Sequence, residues 1–465
     1  MKPEFKILSA TAILGYGFPI ASFEAGIAKG PDLIAADAGS TDPGPYYLGS
    51  GISFTDRQAV KRDLRIMIKA GVERKIPVVV GTAGGSGAEP HLAWCFEIIR
   101  EIAREEALNF RIAVIHAEFE KSFVADALKK GKIRPLDRAP ELTEERVLNS
   151  EHIVGQMGVE PYIRAFEEIP DVVLAGRSYD PSVFAALPIR DGFDRALALH
   201  LGKILECAAI CASPGSGSDC MFGKLTNDWF ELEALNPVRK CTTVSVAAHT
   251  LYEKTNPYIL PGPGGHLDLR DCSFTDQGGG RIRVSGSKFI ADKPYTIKLE
   301  GAQSVGFRTV SIAGTRDPIM IREIDRTIAA VRANVADIYK DQPWDYRLNF
   351  TVYGKDGVMG PLEPTPGTES AHELGIIIEA VAESQERADA VCATARSTML
   401  HYGYPGRIAT AGNLAFPFSP SDFHAGKVYE FSVYHLLEVE DPAAPFRIDG
   451  QPRSEERRVG KECRS

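Results

Sequence analysis

The segment PVVVGTAGGSGAEPHLAWCFEIIREIAREEA, residues 77–107, joins an apolar run to a helical pattern through a glycine-rich turn. A short, continuous apolar run is typical of a strand whose two faces are both covered. Pro90 lies in the first turn of the predicted helix, where a missing N–H removes no hydrogen bond. The segment therefore predicts one strand–helix unit of a parallel sheet.

The same kind of apolar run recurs along the first half of the chain. The further runs are FKILSATAI (5–13), DLIAADAG (32–39), FRIAVIHAEF (110–119) and DVVLAGRS (171–178). Helical patterns lie between them at 55–75, where Thr55 or Asp56 can cap the helix, and at 150–169. This alternation predicts an α/β fold, a doubly wound domain with a mostly parallel sheet over residues 1–215.

The second half of the chain has a different pattern. Residues 216–335 show short strands between glycine and proline turns and end in a helix, which predicts a β-rich region. Residues 336–448 predict an α+β domain of two strands, a helix and a strand. Residues 449–465 resemble translated vector sequence, so we expect a non-native tail that includes Cys463.

Composition excludes several classes of protein. The net charge is −9 without a long basic run, which argues against nucleic acid or an anionic membrane as the main partner. We find neither a signal peptide nor an apolar run long enough to span a membrane. The eight cysteines are scattered along 465 residues, which favours reduced thiols and a cytoplasmic protein.

Polar residues follow the predicted strands at their carboxyl ends, where ligands of open parallel sheets bind. After the second strand comes ADAGSTDPGP (36–45), in which we predict Asp37 and Asp42 as catalytic residues and Ser40 as a substrate-binding residue. The alternative is that the two carboxylates only form turns and cap the next helix.

The glycine-rich turn after the third strand brings backbone amides together before a helix. Gly84, Gly85, Ser86 and Gly87 are therefore predicted to bind an anion. The alternative is a tight turn with close packing. The glycine spacing matches neither the ATP-binding nor the NAD-binding motif.

His116 and Glu118 lie two residues apart on the fourth strand and share a face. With Asp37 or Asp42 they could bind a divalent metal ion, or act without metal as a general acid and base. We name both as catalytic candidates. The alternative is a structural histidine, and the cofactor stays unknown.

Arg177 and Asp180 follow the fifth strand. They are predicted to bind and orient a substrate carboxylate, although an internal ion pair explains them equally well. Ser216 and Asp219, in the loop SPGSGSD (213–219), are further substrate-binding candidates.

Two other stretches leave alternatives open. His200, Lys203, Cys207 and Cys211 share one face of a predicted helix, which would allow a thiol nucleophile beside Lys203 and His200. Cysteines in an alanine-rich helix are more often small core residues, and this alternative is favoured. The loop NLAFPFSPSD (413–422) either lines an apolar pocket or packs at an interface.

Several of these stretches together resemble one known family, the acyclic terpene utilisation protein AtuA family. They include ILGYGFP (13–19), ADAGSTDPGPYYLGSG (36–51), GTAGGSGAEPHLAW (81–94), AGRSYDP (175–181) and FPFSPSD (416–422). The resemblance extends to about residue 445. It implies a role beside enzymes that degrade acyclic terpenoids as acids and CoA thioesters, with a small partner protein.

We therefore expect a catabolic, lyase- or hydratase-like enzyme that acts on a carboxylic acid or acyl-CoA thioester. Hydration, elimination or another acid–base reaction fits the predicted residues. The alternative is a non-catalytic ligand-binding subunit of a catabolic complex with a small partner protein. Under either hypothesis, the expected partners of the protein are a small anionic or acyl substrate and other copies of the same chain in a homo-oligomer. A nicotinamide-dependent oxidoreductase is disfavoured because the dinucleotide fingerprint is missing.

Overall fold

The five apolar runs form neighbouring parallel strands at the centre of a ten-stranded sheet in the computed structural model. The structure describes residues 2–365 and 371–451. These residues divide into two units, 2–303 with 431–451 and 304–430. The fold-class prediction of an α/β protein with a mostly parallel N-terminal sheet is confirmed.

The strands and helices begin and end as follows. The strands are β1 (Phe5–Ser9), β2 (Leu33–Asp37), β3 (Val78–Gly81), β4 (Ile112–Ile115), β5 (Ile133–Pro135), β6 (Ser150–Gln156), β7 (Val172–Ala175), β8 (Met221–Leu225), β9 (Phe230–Ala234), β10 (Ile259–Gly262), β11 (Gly265–Asp268), β12 (Ser273–Asp276), β13 (Arg281–Ser285), β14 (Lys288–Ala291), β15 (Tyr295–Thr315), β16 (Tyr346–Tyr353), β17 (Leu374–Ala382), β18 (Asp422–Val439) and β19 (Ile448–Gln451). The helices are α1 (Ile20–Ala28), α2 (Pro45–Ser50), α3 (Arg57–Arg74), α4 (Glu89–Glu105), α5 (Lys121–Lys129), α6 (Glu144–Asn149), α7 (Glu160–Ala165), α8 (Ser182–Arg190), α9 (Arg195–Leu205), α10 (Thr243–Thr250), α11 (Pro318–Arg322), α12 (Ile324–Tyr339) and α13 (Gln385–His401).

The strands of the first unit are buried on both faces, as their composition predicts. In β2, Leu33 and Ala35 pack into one core, whereas Ile34 and Ala36 pack into the other. Helices α8 and α9 cover the first core, and α3 and α4 cover the second. Apolar burial on both faces therefore fixes a doubly wound arrangement.

The large sheet has the strand order β12-β13-β9-β8-β1-β2-β3-β7-β4-β19. Strands β1, β2, β3, β7 and β4 are parallel, so their carboxyl ends lie at one edge. The outer strands on both sides are antiparallel. The parallel centre positions the residues that follow β2, β3 and β7 next to one another.

Two helix predictions need correction. Residues 150–169 are not one helix: 150–156 form β6, which pairs with β15, and only Glu160–Ala165 is α-helical, followed by a 3-10 turn at Phe166–Glu168. The helix that carries Lys203 ends at Leu205, so Cys207 and Cys211 lie beyond it. Ala208 has φ +46, which is incompatible with continuing the helix.

The second unit contains an antiparallel arrangement in which β17 pairs with β16 and with residues 307–315 of β15. Helices α12 and α13 cover it and bury Val331, Val391 and Cys392 against Ile376 and Ile378. The strand, strand, helix pattern of the third predicted region is thereby confirmed over 346–401. Strands β15 and β18 have residues in both units.

The sequence predicts domain boundaries after residues 215 and 335. These boundaries concern segments that would fold independently, and they stay predictions. Residues 449–451 of the predicted tail lie in β19, whereas 452–465 lie outside the described residues. Within the described part of the chain, no helix is both long and apolar enough to cross a bilayer.

Candidate functional site

Asp37 is the last residue of β2 and lies at the carboxyl edge of the sheet. Its side chain is 5% exposed. Oδ2 accepts a hydrogen bond of 3.1 Å from the Gly39 N–H, whereas Oδ1 has no partner among the described residues. Burial, and then the charge of Asp180, raise the pKa of Asp37 well above its ordinary value. This carboxyl group is therefore suited to hold a proton and has one oxygen free for a ligand.

Arg177 follows β7 and is only 2% exposed. Its Nε donates to Glu300 Oε2 over 2.6 Å, and its Nη1 donates to Asp180 Oδ1 over 2.9 Å. Nη1 also donates to the Ser178 carbonyl over 2.6 Å. The predicted pair of Arg177 and Asp180 is thus in contact, but three protein acceptors already engage the guanidinium.

Glu300, on β15, connects Arg177 to Thr41 in the motif ADAGSTDPGP (36–45). Its Oε1 accepts hydrogen bonds from Thr41 Oγ1 at 2.8 Å and from Lys298 Nζ at 2.6 Å. Burial opposes ionisation, but Arg177 and Lys298 prevail and lower the pKa of Glu300 to about 2. Glu300 is therefore ionised and fixes Arg177 next to the ends of β2 and β7.

Lys203 and Glu206 form a buried ion pair at the end of α9, with exposures of 3% and 7%. Burial raises the pKa of Glu206 to about 7 although Lys203 opposes the shift. Glu206 Oε2 has no partner within the described residues. The charge of Glu206 also raises the pKa of Asp37, so the two carboxyl groups share one electrostatic environment. We call Asp37, Arg177, Asp180, Lys203, Glu206 and Glu300 the carboxylate cluster.

Two hydroxyl groups adjoin Asp37. Tyr162 and Ser178 are buried and share a hydrogen bond of 2.6 Å. A Cβ at Gly81 would lie 3.1 Å from the Tyr162 hydroxyl and 3.4 Å from Asp37 Oδ1. Val183 Cγ2 would lie only 2.2 Å from that Cβ, so the glycine lets Val183, Tyr162 and Asp37 pack together at the end of β3.

The rest of the motif ADAGSTDPGP forms both a turn and a cavity wall. The Ser40 hydroxyl accepts a hydrogen bond of 3.1 Å from the Asp42 N–H. Thr41 and Asp42 line a cavity of about 310 Å³ together with Phe431 and Tyr434, whose ring centroids are 6.0 Å apart. Ser40 thus stabilises the turn, and Asp42 faces an aromatic cavity.

The glycine-rich turn is closely packed. The N–H groups of Gly85 and Gly87 donate to backbone carbonyls, and Ser86 is buried. Gly84, Gly85 and Gly87 all have positive φ, and a Cβ at Gly87 would lie 2.1 Å from the backbone nitrogen of Arg177. At the start of α4 the Glu89 N–H donates to Glu118 Oε2 over 2.7 Å. The chain's own carbonyls therefore engage the N–H groups of Gly85 and Gly87, whereas the buried Ser86 hydroxyl has no hydrogen-bond partner among the described residues.

His116 and Glu118 belong to a separate group. His116 contacts Glu89 at 2.7 Å and Asp449 at 3.1 Å, and Glu118 contacts His152 at 2.7 Å. No recorded contact within 2–365 and 371–451 joins His116 to Asp37. Over the same residues, no group of three or more His, Cys, Asp or Glu could hold a metal ion.

The remaining predicted residues have structural partners. Asp219 accepts hydrogen bonds from Asn236 at 2.7 Å and Arg239 at 2.8 Å. The Ser216 hydroxyl accepts a hydrogen bond of 3.2 Å from the Ser218 N–H. Burial raises the pKa of the Cys207 thiol, which disfavours a thiolate nucleophile.

Sequence reasoning missed Glu206, Glu300, Lys298 and Tyr162. Glu206 had a usable signal, since it stands three residues after Lys203 in the apolar stretch LALHLGKILECAA (197–209). Glu300 and Tyr162 had none, because their burial depends on the pairing of distant strands and the packing of α7.

Comparison with known proteins gives one match. The family model described as Acyclic terpene utilisation family protein AtuA matches residues 56–227 and 238–420. No curated protein and no solved structure matches the chain. The matched segments include Arg177, Asp180, Glu206 and Glu300, whereas Asp37 precedes them.

Proposed function

We propose that this chain, which belongs to the acyclic terpene utilisation family AtuA, is an enzyme of acyclic terpene catabolism that acts on a carboxylic acid or acyl-CoA thioester. The family points to the catabolic role. The carboxylate cluster supports acid–base chemistry, and hydration or elimination is the reaction type that fits it best.

One observation carries this proposal. Asp37 and Glu206 are both buried, and each has a carboxyl oxygen without a hydrogen-bond partner among the described residues. An unpartnered buried oxygen is unfavourable in the free protein and is compensated when a ligand supplies the partner. Two such oxygens in one electrostatic environment suit a substrate that exchanges protons with both groups.

The two carboxyl groups have different surroundings, which separates their roles. Burial and the charge of Asp180 raise the pKa of Asp37 well above its ordinary value, so we assign it as the acid that protonates a departing hydroxyl group. Glu206 has a pKa of about 7 and contacts Lys203, so it acts as the base that removes the proton from carbon. The products of elimination are then an unsaturated acid or thioester and water, and hydration is the reverse.

This assignment gives Glu206 the base role that the sequence suggested for His116. His116 already contacts Glu89 and Asp449, and Glu118 caps α4. Tyr162 donates to Ser178, whose own hydroxyl donates to the Gly176 carbonyl over 2.9 Å, so the phenol oxygen is left to accept a hydrogen bond from the hydroxyl group that leaves or enters.

The test is turnover of a panel of branched acids and their CoA thioesters, followed by mass spectrometry. General acid–base catalysis contributes ~10²–10⁴-fold. We therefore expect Asp37→Asn and Glu206→Gln each to lower kcat by about 100-fold or more, whereas the exposed Asp228→Asn keeps the wild-type rate. Unchanged turnover in both variants would refute the proposal.

A second candidate is a ligand-binding subunit with a small partner protein. The unit 304–430 contains a groove of about 730 Å³ lined by residues 413–417 and Ile408, which is 82% exposed. Ile408→Asp would abolish co-purification of a partner from the native host if this groove is the docking site. An active protein without a partner would exclude this candidate.

A further inference from the structure

We propose that the substrate enters as a free carboxylate, bound by Lys254 and by His249 of α10 beside the Lys203–Glu206 pair. This inference rests on the proposed function, because it names the charged group of the same substrate. It places that group away from the glycine-rich turn and from Arg177.

Of the expected anion binders, Arg177 and the N–H groups of Gly85 and Gly87 are already engaged. Arg177 donates to Glu300, Asp180 and the Ser178 carbonyl, and it is almost fully buried. Bound anions need donors that the protein leaves unpaired. A substrate anion therefore needs other cations and N–H groups near Glu206.

His249 supplies one such group. It is 5% exposed, and its Nε2 has no hydrogen-bond partner among the described residues. Its ring stacks on Tyr252 with centroids 5.3 Å apart, and the Tyr252 ring lies 5.8 Å from Lys203 Nζ. Burial lowers the pKa of His249 to about 4, so the ring is neutral and can donate one N–H. The unpartnered nitrogen thus lies in the surroundings of Lys203.

Lys254 supplies the charge. It lies four residues after the end of α10 and is half-buried. Its N–H donates to the Leu251 carbonyl over 3.1 Å, and the Tyr252 N–H donates to the His249 carbonyl over 3.0 Å, so Lys254 lies in the same turn as the stacked rings of His249 and Tyr252. No side chain within 2–365 and 371–451 forms an ion pair with its ammonium group. Burial, and then the charge of Lys203, lower the pKa of Lys254, while Glu206 and Asp180 act against this shift. The ammonium groups of Lys254 and the buried Lys203 repel each other, and an anion bound at Lys254 would offset that repulsion.

The kind of anion follows from the position beside Glu206. A free acid has its carboxylate within a few bonds of the carbon that loses a proton, so both can lie in one small site. A thioester carbonyl is neutral and would leave the charge of Lys254 uncompensated. The phosphates of coenzyme A lie far from its thioester sulfur. The arrangement therefore favours the free acid over the thioester.

Calorimetric titration of the full chain tests the inference with 3-methylbutanoate, 3-methylbutanoyl-CoA and inorganic phosphate as probes. We expect 3-methylbutanoate to bind, and Lys254→Met to raise its Kd by at least 10-fold. Lys254→Arg should bind nearly as well as wild type. The exposed Lys130→Met is the matched control and should bind like wild type.

The histidine is tested by a pair of amides. Gln places its amide where Nε2 lies, whereas Asn reaches only to the position of Nδ1. His249→Gln should therefore retain binding and His249→Asn should lose it. This pair decides the question even if Lys254→Met fails to fold.

Three results would overturn the inference. The first is that the CoA thioester or phosphate binds and 3-methylbutanoate does not. The second is that wild type and Lys254→Met bind 3-methylbutanoate equally well. The third is that the two His249 variants bind it equally well. If carboxylate binding depends on Lys254 while Asp37→Asn leaves turnover unchanged, the carboxylate site stands and only the proposed acid–base role fails.

Discussion

Glu206 holds its proton more tightly in the folded protein than in the unfolded chain. Its pKa rises from 4.5 to about 7 because the side chain is buried. Below pH 4.5 both states are protonated, and the stabilisation is fully present. Between pH 4.5 and 7 only the folded state keeps the proton, so stability decreases as pH rises through this window.

We therefore expect Glu206→Gln to abolish part of the pH dependence of unfolding. Relative to this variant, the wild type should lose on the order of 3 kcal/mol between pH 5 and pH 8. Urea denaturation at several pH values measures the difference. The exposed Glu24→Gln should follow the wild-type curve. Parallel curves for wild type and Glu206→Gln would contradict the raised pKa.

The individual side chains at the carboxyl ends of strands were predictable, and those brought in by packing were not. Asp37, Arg177 and Asp180 follow apolar runs, and parallel strands necessarily bring such residues together. Glu300 reaches Arg177 only because residues 298–303 pair with β6. A pairing between positions 150 residues apart leaves no local pattern in the sequence.

Helix α9 carries Lys203 and ends one residue before Glu206, so the start of this helix fixes two members of the carboxylate cluster indirectly. The Asp194 side chain caps it by accepting a hydrogen bond of 2.8 Å from the Leu197 N–H. Loss of such a cap costs ~1 kcal/mol of stability.

We expect Asp194→Ala to lower the free energy of unfolding by about 1 kcal/mol, whereas Asp194→Asn keeps most of it. Guanidinium denaturation compares the three proteins. An alanine variant as stable as the wild type would show that tertiary packing alone holds α9 in place.

Elements with a strong periodic pattern were predicted well, and mixed segments were not. Helices α3 and α4 begin where Asp56 and Pro90 indicate. Residues 150–169 combine the helical sequence GVEPYIRAFEE with SEHIVGQ, which becomes a strand because β15 offers it a partner. Tertiary pairing overrides local preference in such short segments.

The ion network around Glu300 connects parts of the chain that are far apart in sequence. Thr41, Arg177 and Lys298 all donate to its carboxylate, which is fully buried. Removing one charge of a buried group leaves its partners uncompensated, which costs ~3–5 kcal/mol.

We expect Glu300→Gln to lower the global stability by about that amount, a large fraction of a typical ~5–15 kcal/mol. Glu440→Gln is the control, since Glu440 is 92% exposed in its pair with Lys132 and should change stability by less than ~1 kcal/mol. Differential scanning calorimetry measures both. Equal melting temperatures would show that the network contributes nothing net.

The order in which the segments of this chain are translated differs from the order in which they can pair in the folded protein. Residues 304–430 form a continuous unit, whereas the first unit is completed only by residues that come later, among them 435–437, which pair with β5. Until these residues emerge, β5 has no neighbour on the side that they later cover. An open strand edge is a site of aggregation. The nascent chain is therefore most vulnerable while the 304–430 segment is being translated, and chaperone binding during that interval would protect it.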